Sequence, residues 1–139
     1  MRTAILGSNS FLARHLSGEL AGAGVGLHHY GIIQEAGFPE VPFAPFRWPD
    51  RLPDPASLAG FDAVVYTAGA GIQPGTNDSA ELIYELNAMF PIRLFRSLSS
   101  AGFAGTLFTF GSYFEIGTET EERFYTEEAL AASRNPITT

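Results

Sequence analysis

Thr3-Ala4-Ile5-Leu6 is a short apolar run that breaks at once into Gly7-Ser8-Asn9-Ser10, after which Leu12, Leu16 and Leu20 recur every four residues. A strand buried in a sheet needs such a run, and a helix that buries one face needs such a period. The two meet only across residues 7–10, so the chain opens with strand, tight turn and helix. Ser8, Asn9 or Ser10 supplies a side-chain cap for the helix, and the glycines from Gly22 to Gly26 supply its stop before a second short strand over 27–30. The result is a β-α-β unit, which commits the chain to a parallel sheet with helices packed on it.

The rest of the chain continues the alternation. Residues 31–56 hold Pro39, Pro42, Pro45, Pro49, Pro53 and Pro55, so this stretch is predicted to be mostly loop, with at most a short strand near 43–47. Asp62-Ala63-Val64-Val65-Tyr66-Thr67 is a buried strand, and the small residues Ala68-Gly69-Ala70-Gly71 at its carboxyl end leave room for a ligand. Leu82, Leu86, Phe90, Leu94 and Leu98 mark a helix over 79–101. Pro91 removes one backbone donor from it and predicts a kink at the carbonyl of Asn87. A further buried strand over 106–110 leads to Gly111-Ser112, and a short helix is expected over 126–133. Right-handed crossovers bring the loops after residues 6, 67 and 110 to one edge of the sheet, where ligands of open α/β sheets bind.

Composition narrows the ligand. The 139 residues carry a net charge of −7, from eight Arg and no Lys against fifteen acids, which gives neither the basic field of a nucleic-acid binder nor that of a membrane-surface protein. Small molecules are the expected ligands. No Cys is present, and His15, His28 and His29 have no companions at a metal-ligand spacing, so no metal is expected and a reducing cytoplasm fits. No run of 18 apolar residues predicts a membrane span. His28 and His29 read as half-buried strand residues, and Trp48 as packing over the sheet edge in preference to stacking on an adenine.

Three blocks, in order and at matching spacing, resemble the extended short-chain dehydrogenase/reductase family, the NAD-dependent nucleotide-sugar epimerases and dehydratases. Gly7-Ser8-Asn9-Ser10-Phe11-Leu12-Ala13-Arg14-His15-Leu16 is similar to the family's G-x-x-G-(F/Y)-(I/L)-G-x-x-L turn, with Ser10 and Ala13 in place of two glycines. Asp62-Ala-Val-Val-Tyr-Thr-Ala68-Gly69 resembles its D-x-V-x-x-x-A-(A/G) strand, with Asn87 about where its N-V-x-G helix motif falls. Leu107-Phe-Thr-Phe-Gly-Ser112-Tyr-Phe-Glu-Ile-Gly117 resembles the strand that ends in its active-site Ser or Thr. The resemblance implies a Rossmann-type parallel sheet of about five strands with helices on both faces, residues 1–139 forming an NAD(P)-binding domain that is incomplete relative to the family.

The same resemblance implies the site. Gly7, Asn9, Ser10, Phe11, Leu12, Ala68, Gly69 and Asn87 would bind NAD or NADP, with the pyrophosphate at the helix N-terminus, and Ser112 would be the catalytic hydroxyl of an enzyme acting on a nucleotide sugar. Two departures follow. The ribose-binding acid expected at the end of the second strand is replaced by Gly31, with no Arg nearby in sequence to take a 2′-phosphate, so NAD and NADP stay open and affinity is expected to be weak. A chain without Lys cannot hold the family's Tyr-x-x-x-Lys pair, and Tyr113-Phe114 stand where the dehydratase branch has Asp-Glu. Either the chain is the N-terminal part of a longer enzyme, or it is a non-catalytic nucleotide-binding or regulatory module on the same fold. In the first case it should self-associate or bind its missing C-terminal half through an uncovered face at Leu107, Phe108, Leu86, Phe90 and Leu94.

Overall fold

The computed structural model describes residues 1–71 and 77–111. Contacts group Met1–Thr109 into one unit and Phe110–Thr139 into another, and the architecture that follows belongs to the first. Its elements are β1 (Arg2–Leu6), α1 (Phe11–Gly22), β2 (Gly26–Gly31), β3 (Phe43–Pro45), α2 (Pro55–Leu58), β4 (Ala63–Tyr66), α3 (Ala80–Tyr84), a π-helical turn (Glu85–Met89), α4 (Phe90–Ser100) and β5 (Thr106–Thr109). The strands form one parallel sheet in the order β3-β2-β1-β4-β5.

Strand alternation sorts the core into two layers. Ile5 and Val65 face α1, where Ala13, Leu16 and Leu20 close over them together with Leu27. Ala4, Leu6, Tyr30, Val64 and Tyr66 face the opposite way and are covered by Leu58 of α2 and by Phe90, Leu94 and Leu98 of α4. Helices therefore cover both faces, as the alternating pattern predicts. Leu6 pairs with Tyr30 on one side and with Tyr66 on the other, and Tyr66 pairs with Thr109, so four strands end in one row. That row fixes where the loops meet.

The ends of α1 follow from its residues. The Ala13 N–H donates to Ser10 Oγ at 3.1 Å, making Ser10 the N-cap. At the other end the Val25 N–H reaches the Leu20 carbonyl at 3.0 Å and the Gly24 N–H the Ala21 carbonyl at 2.9 Å, the paired bonds of a Schellman stop.

The structure refines three expectations. The helix over 79–101 is a continuous helical run that includes a π turn at Glu85–Met89, in which the Phe90 N–H bonds to the Glu85 carbonyl. The next donor in that register would be Pro91, which has no N–H, so the orphaned carbonyl is that of Leu86, and the Tyr66 hydroxyl donates to it at 2.6 Å. The strand over 106–110, read as buried from its apolar run, is Thr106–Thr109; among the described residues it pairs with β4 alone and Phe108 is half exposed, in line with the uncovered face expected of an N-terminal part. The stripe expected to be uncovered is split: Phe90 and Leu94 are buried under α4 against the sheet, and Leu86 is half-buried. Helix α2 was not expected within the Pro-rich stretch, although Asp54 caps it and Pro55 starts it.

Candidate functional site

The carboxyl ends of β1, β2 and β4 form one corner. Gly7 adopts φ +91°, and a Cβ there would lie 2.4 Å from the Ala68 nitrogen, so the turn after β1 and the loop after β4 touch backbone to backbone. Only glycine permits both the angle and the approach. Thr67 ties the same two segments: its N–H donates to the Leu6 carbonyl at 2.8 Å, and its hydroxyl lies 3.0 Å from the Leu6 carbonyl and 3.1 Å from that of Gly7.

The turn then presents donors. The Gly7 and Ser8 N–H groups both go to the Tyr30 carbonyl, and the Ser10 N–H goes to that of Gly7. Among the described residues, no acceptor takes the backbone N–H of Asn9, Phe11 or Leu12. Phe11 and Leu12 are the first two residues of a 12-residue helix, where free N–H groups and the positive end of the dipole favour an anion. Phe11 is 74% exposed, so its side chain takes no part in the core.

Asn87 does something other than stand free. Its Oδ1 accepts from the Ala70 N–H and its Nδ2 donates to the Ala70 carbonyl, each at 3.0 Å, so the π turn holds the loop Ala68-Gly69-Ala70 in place from below. Asp78 adds a second tie, accepting from the Gly71 N–H at 2.8 Å. Of the residues expected at the site, Gly7, Asn9 and Ser10 lie on the turn after β1, Phe11 and Leu12 on the first turn of α1, Ala68 and Gly69 on the loop after β4, and Asn87 on the π turn that bonds that loop at Ala70. Ser112 and the helix expected over 126–133 lie outside the described residues.

The missing acid has a physical reason. Gly31 is buried, and a Cβ there would come within 2.4 Å of Ser8 Oγ and 2.5 Å of Asn9 Oδ1. Asn9 fills that space. Its Oδ1 accepts from the N–H groups of Ile32 (2.8 Å) and Ile33 (3.2 Å), while its Nδ2 donates to the Ile33 carbonyl at 2.9 Å and reaches Glu35 Oε2 at 3.4 Å. Arg14, from the first turns of α1, donates to the Asn9 carbonyl at 3.1 Å and pairs with Glu35 at 3.3 Å. Reading outward from Gly31 along the sequence finds no Arg, but the fold brings one there from across the turn. Thr67, Arg14 and Glu35 carry no local motif that would have named them.

Trp48 is packed against the core layer under α4, and His29 is fully buried with its Nε2 2.9 Å from Ser17 Oγ. Burial pushes the His29 imidazole below its ordinary value, and Tyr66, buried and bonded to Leu86, has its phenol pushed far up. Tyr66 is thereby a structural donor, not an acid/base. Among the described residues no helix is long and apolar enough to cross a membrane, and no group of three His, Asp or Glu could hold a metal.

No family model and no curated protein matches the sequence. Solved structures do match. The UDP-glucose-4-epimerase of Stenotrophomonas maltophila, with bound NAD and a formylated UDP-arabinopyranose, superposes with a TM-score of 0.71 at 20% identity over 89% of this chain and 40% of its own. The chain shares that fold. The ADP-L-glycero-D-manno-heptose-6-epimerase of Helicobacter pylori gives 0.69 at 14% identity over 99% of this chain and 46% of its own. RMD from Pseudomonas aeruginosa, complexed with NADPH, gives 0.58 at 24% identity over 99% and 45%. The chain thus spans less than half the length of each of these neighbours, whose structures include NAD and NADPH complexes.

Proposed function

We propose that residues 1–139 are the NAD(P)-binding domain of a nucleotide-sugar epimerase- or reductase-like protein, catalytically incomplete as this chain. The observation that carries the reading is the set of backbone N–H groups at Asn9, Phe11 and Leu12 that have no acceptor among the described residues, at the helix N-terminus that follows Gly7. These groups would hold the pyrophosphate, and the loop Ala68-Gly69-Ala70, fixed by Asn87, would border the nicotinamide half. When bound, the dinucleotide supplies hydride transfer. Ser112 would orient the reacting hydroxyl or carbonyl of the sugar. With no Lys among the 139 residues, proton transfer by a Tyr-x-x-x-Lys pair is beyond this chain, so it is expected to turn over no sugar nucleotide by itself. That same absence supports the second reading, a non-catalytic nucleotide-binding or regulatory module on the same fold.

The edge strand β5, with Phe108 half exposed, supports a protein partner: a C-terminal half, as the longer neighbours have, or a second copy. The cysteine-free composition suits the cytoplasm as its compartment. The test is a calorimetric titration with NAD and NADP of the wild-type chain and of Phe11→Pro. Residue 11 is the first helical position and Ser10 before it is extended (φ −71°, ψ 153°), so proline deletes one N–H without bending the chain. A bound dinucleotide, weakened about tenfold by Phe11→Pro with the melting temperature kept, supports the reading. No binding by the wild type, or equal binding by the variant, contradicts it.

A further inference from the structure

Resting on the dinucleotide reading of the corner, we propose that Glu35 is the residue that selects the cofactor, replacing the acid that Gly31 cannot carry, and that it selects NAD over NADP by holding Arg14 out of play. The adenosine ribose is joined directly to the pyrophosphate, so it must lie within one sugar's reach of the turn at residues 9–12, toward the carboxyl end of β2. Asn9 belongs to that turn, and Glu35 Oε2 is 3.4 Å from its Nδ2. Arg14 Nε meets the same oxygen at 3.3 Å. Both contacts fall on Oε2, and among the described residues Oε1 has no partner, which leaves it to accept from a ribose diol.

The backbone explains why the acid comes from four residues further on. Asn9 Oδ1 gathers the Ile32 and Ile33 N–H groups and its Nδ2 takes the Ile33 carbonyl, folding the chain after β2 back over the turn and delivering Glu35 to it. The Glu35 side chain is 17% exposed and Arg14 55%, so the carboxylate is the fixed, sheltered member and the guanidinium the outer one. A neutral diol gains an acceptor at this pair. A 2′-phosphate meets instead an Arg14 whose charge is already matched by Glu35, with the carboxylate's negative charge beside it.

The experiment compares NAD with NADP affinity, by calorimetry on the full chain, for wild type, Glu35→Gln, Arg14→Gln and the double variant. Glu35→Gln removes the acceptor charge and frees Arg14 while keeping the side chain's shape. It is expected to turn a wild-type preference for NAD into a preference for NADP, a change in the affinity ratio of about ten- to hundredfold. Arg14→Gln should strengthen the preference for NAD, and the double variant should bring the ratio near one. Circular dichroism and melting confirm that each variant is folded. A wild-type preference for NADP, or a ratio that Glu35→Gln leaves unchanged, overturns the assignment alone. Failure of every variant to bind either nucleotide overturns the dinucleotide reading and the assignment with it.

Discussion

The two flanks of the sheet are finished differently. On the β2 side, the turn at residues 7–10, Gly31 and the loop 32–35 interlock, with Asn9 making hydrogen bonds to Ile32, Ile33 and Glu35 and Arg14 closing the far side. On the β5 side, Thr106, Phe108 and Thr109 are exposed and the strand has one described neighbour. The polar groups of the first flank are matched within a short reach of chain, whereas the second flank offers hydrogen-bonding groups and apolar side chains to something else. The candidate site sits on the flank whose polar groups are matched; the strand with one described neighbour sits on the other.

The largest effect should come from the close approach of the turn after β1 to the loop after β4. Gly7→Ala places a Cβ against the Ala68 backbone at a positive φ, where neither the turn nor the loop after β4 can give way. We expect a loss of ~3–5 kcal/mol of stability, read by denaturant unfolding. A melting curve like that of the wild type would show that the two loops are not packed together.

The closed flank also hides histidines. His29 is fully buried against Ser17, its Nδ1 is buried without a described partner, and His28 Nε2 is in the same condition. Desolvation lowers both imidazoles, reinforced at His28 by Arg2; at His29, Glu35 and Glu40 oppose the shift and His28 adds to it. Because the folded values lie below the ordinary 6.5, the unfolded chain takes up protons first as pH falls. Stability is therefore full above about pH 6.5 and declines below it, by up to about 1.4 kcal/mol per pH unit for each histidine. Urea midpoints from pH 8 to 5 measure it, and a flat profile would remove the buried neutral pair.

At the open flank the expected effect on stability is smallest. Phe108→Lys alters a half-exposed side chain on an edge strand and should change folding by less than about 0.5 kcal/mol. Its effect should appear in association: if β5 is a docking edge, sedimentation at micromolar concentration shows the wild type self-associating and the lysine variant less so. A monomeric wild type would mean that the edge is tolerated as it stands.

The same contrast separates what the sequence told from what it withheld. The opening strand, glycine turn and helix were legible because run, breaker and period are all local, and so were the strand at 63–66 and a cap among Ser8, Asn9 and Ser10, of which the structure uses Ser10. Pro91 announced a lost donor, but the shift to the π turn was not readable, because the Leu86 carbonyl it frees is met by the hydroxyl that Tyr66 donates from β4. Apolar Leu107 and Phe108 read as buried from their run alone and as uncovered if the chain is an N-terminal part, since composition does not reveal whether a strand has one neighbour or two. Gly31 read as a missing contact. That Asn9 occupies its space and that Arg14 and Glu35 meet beside it follows from side chains more than twenty residues apart, which only the fold brings together.

The central claim is that the turn after β1 is an anion cradle for a dinucleotide. Amide nuclear magnetic resonance of the isotopically labelled chain, titrated with NAD, reads that cradle atom by atom. The largest shifts are expected at the Asn9, Phe11 and Leu12 N–H groups, which have no acceptor among the described residues, with smaller ones at Ala68 and Gly69 and little change at Thr106 and Leu107. Shifts concentrated away from the turn, or none at saturating NAD, would contradict the account.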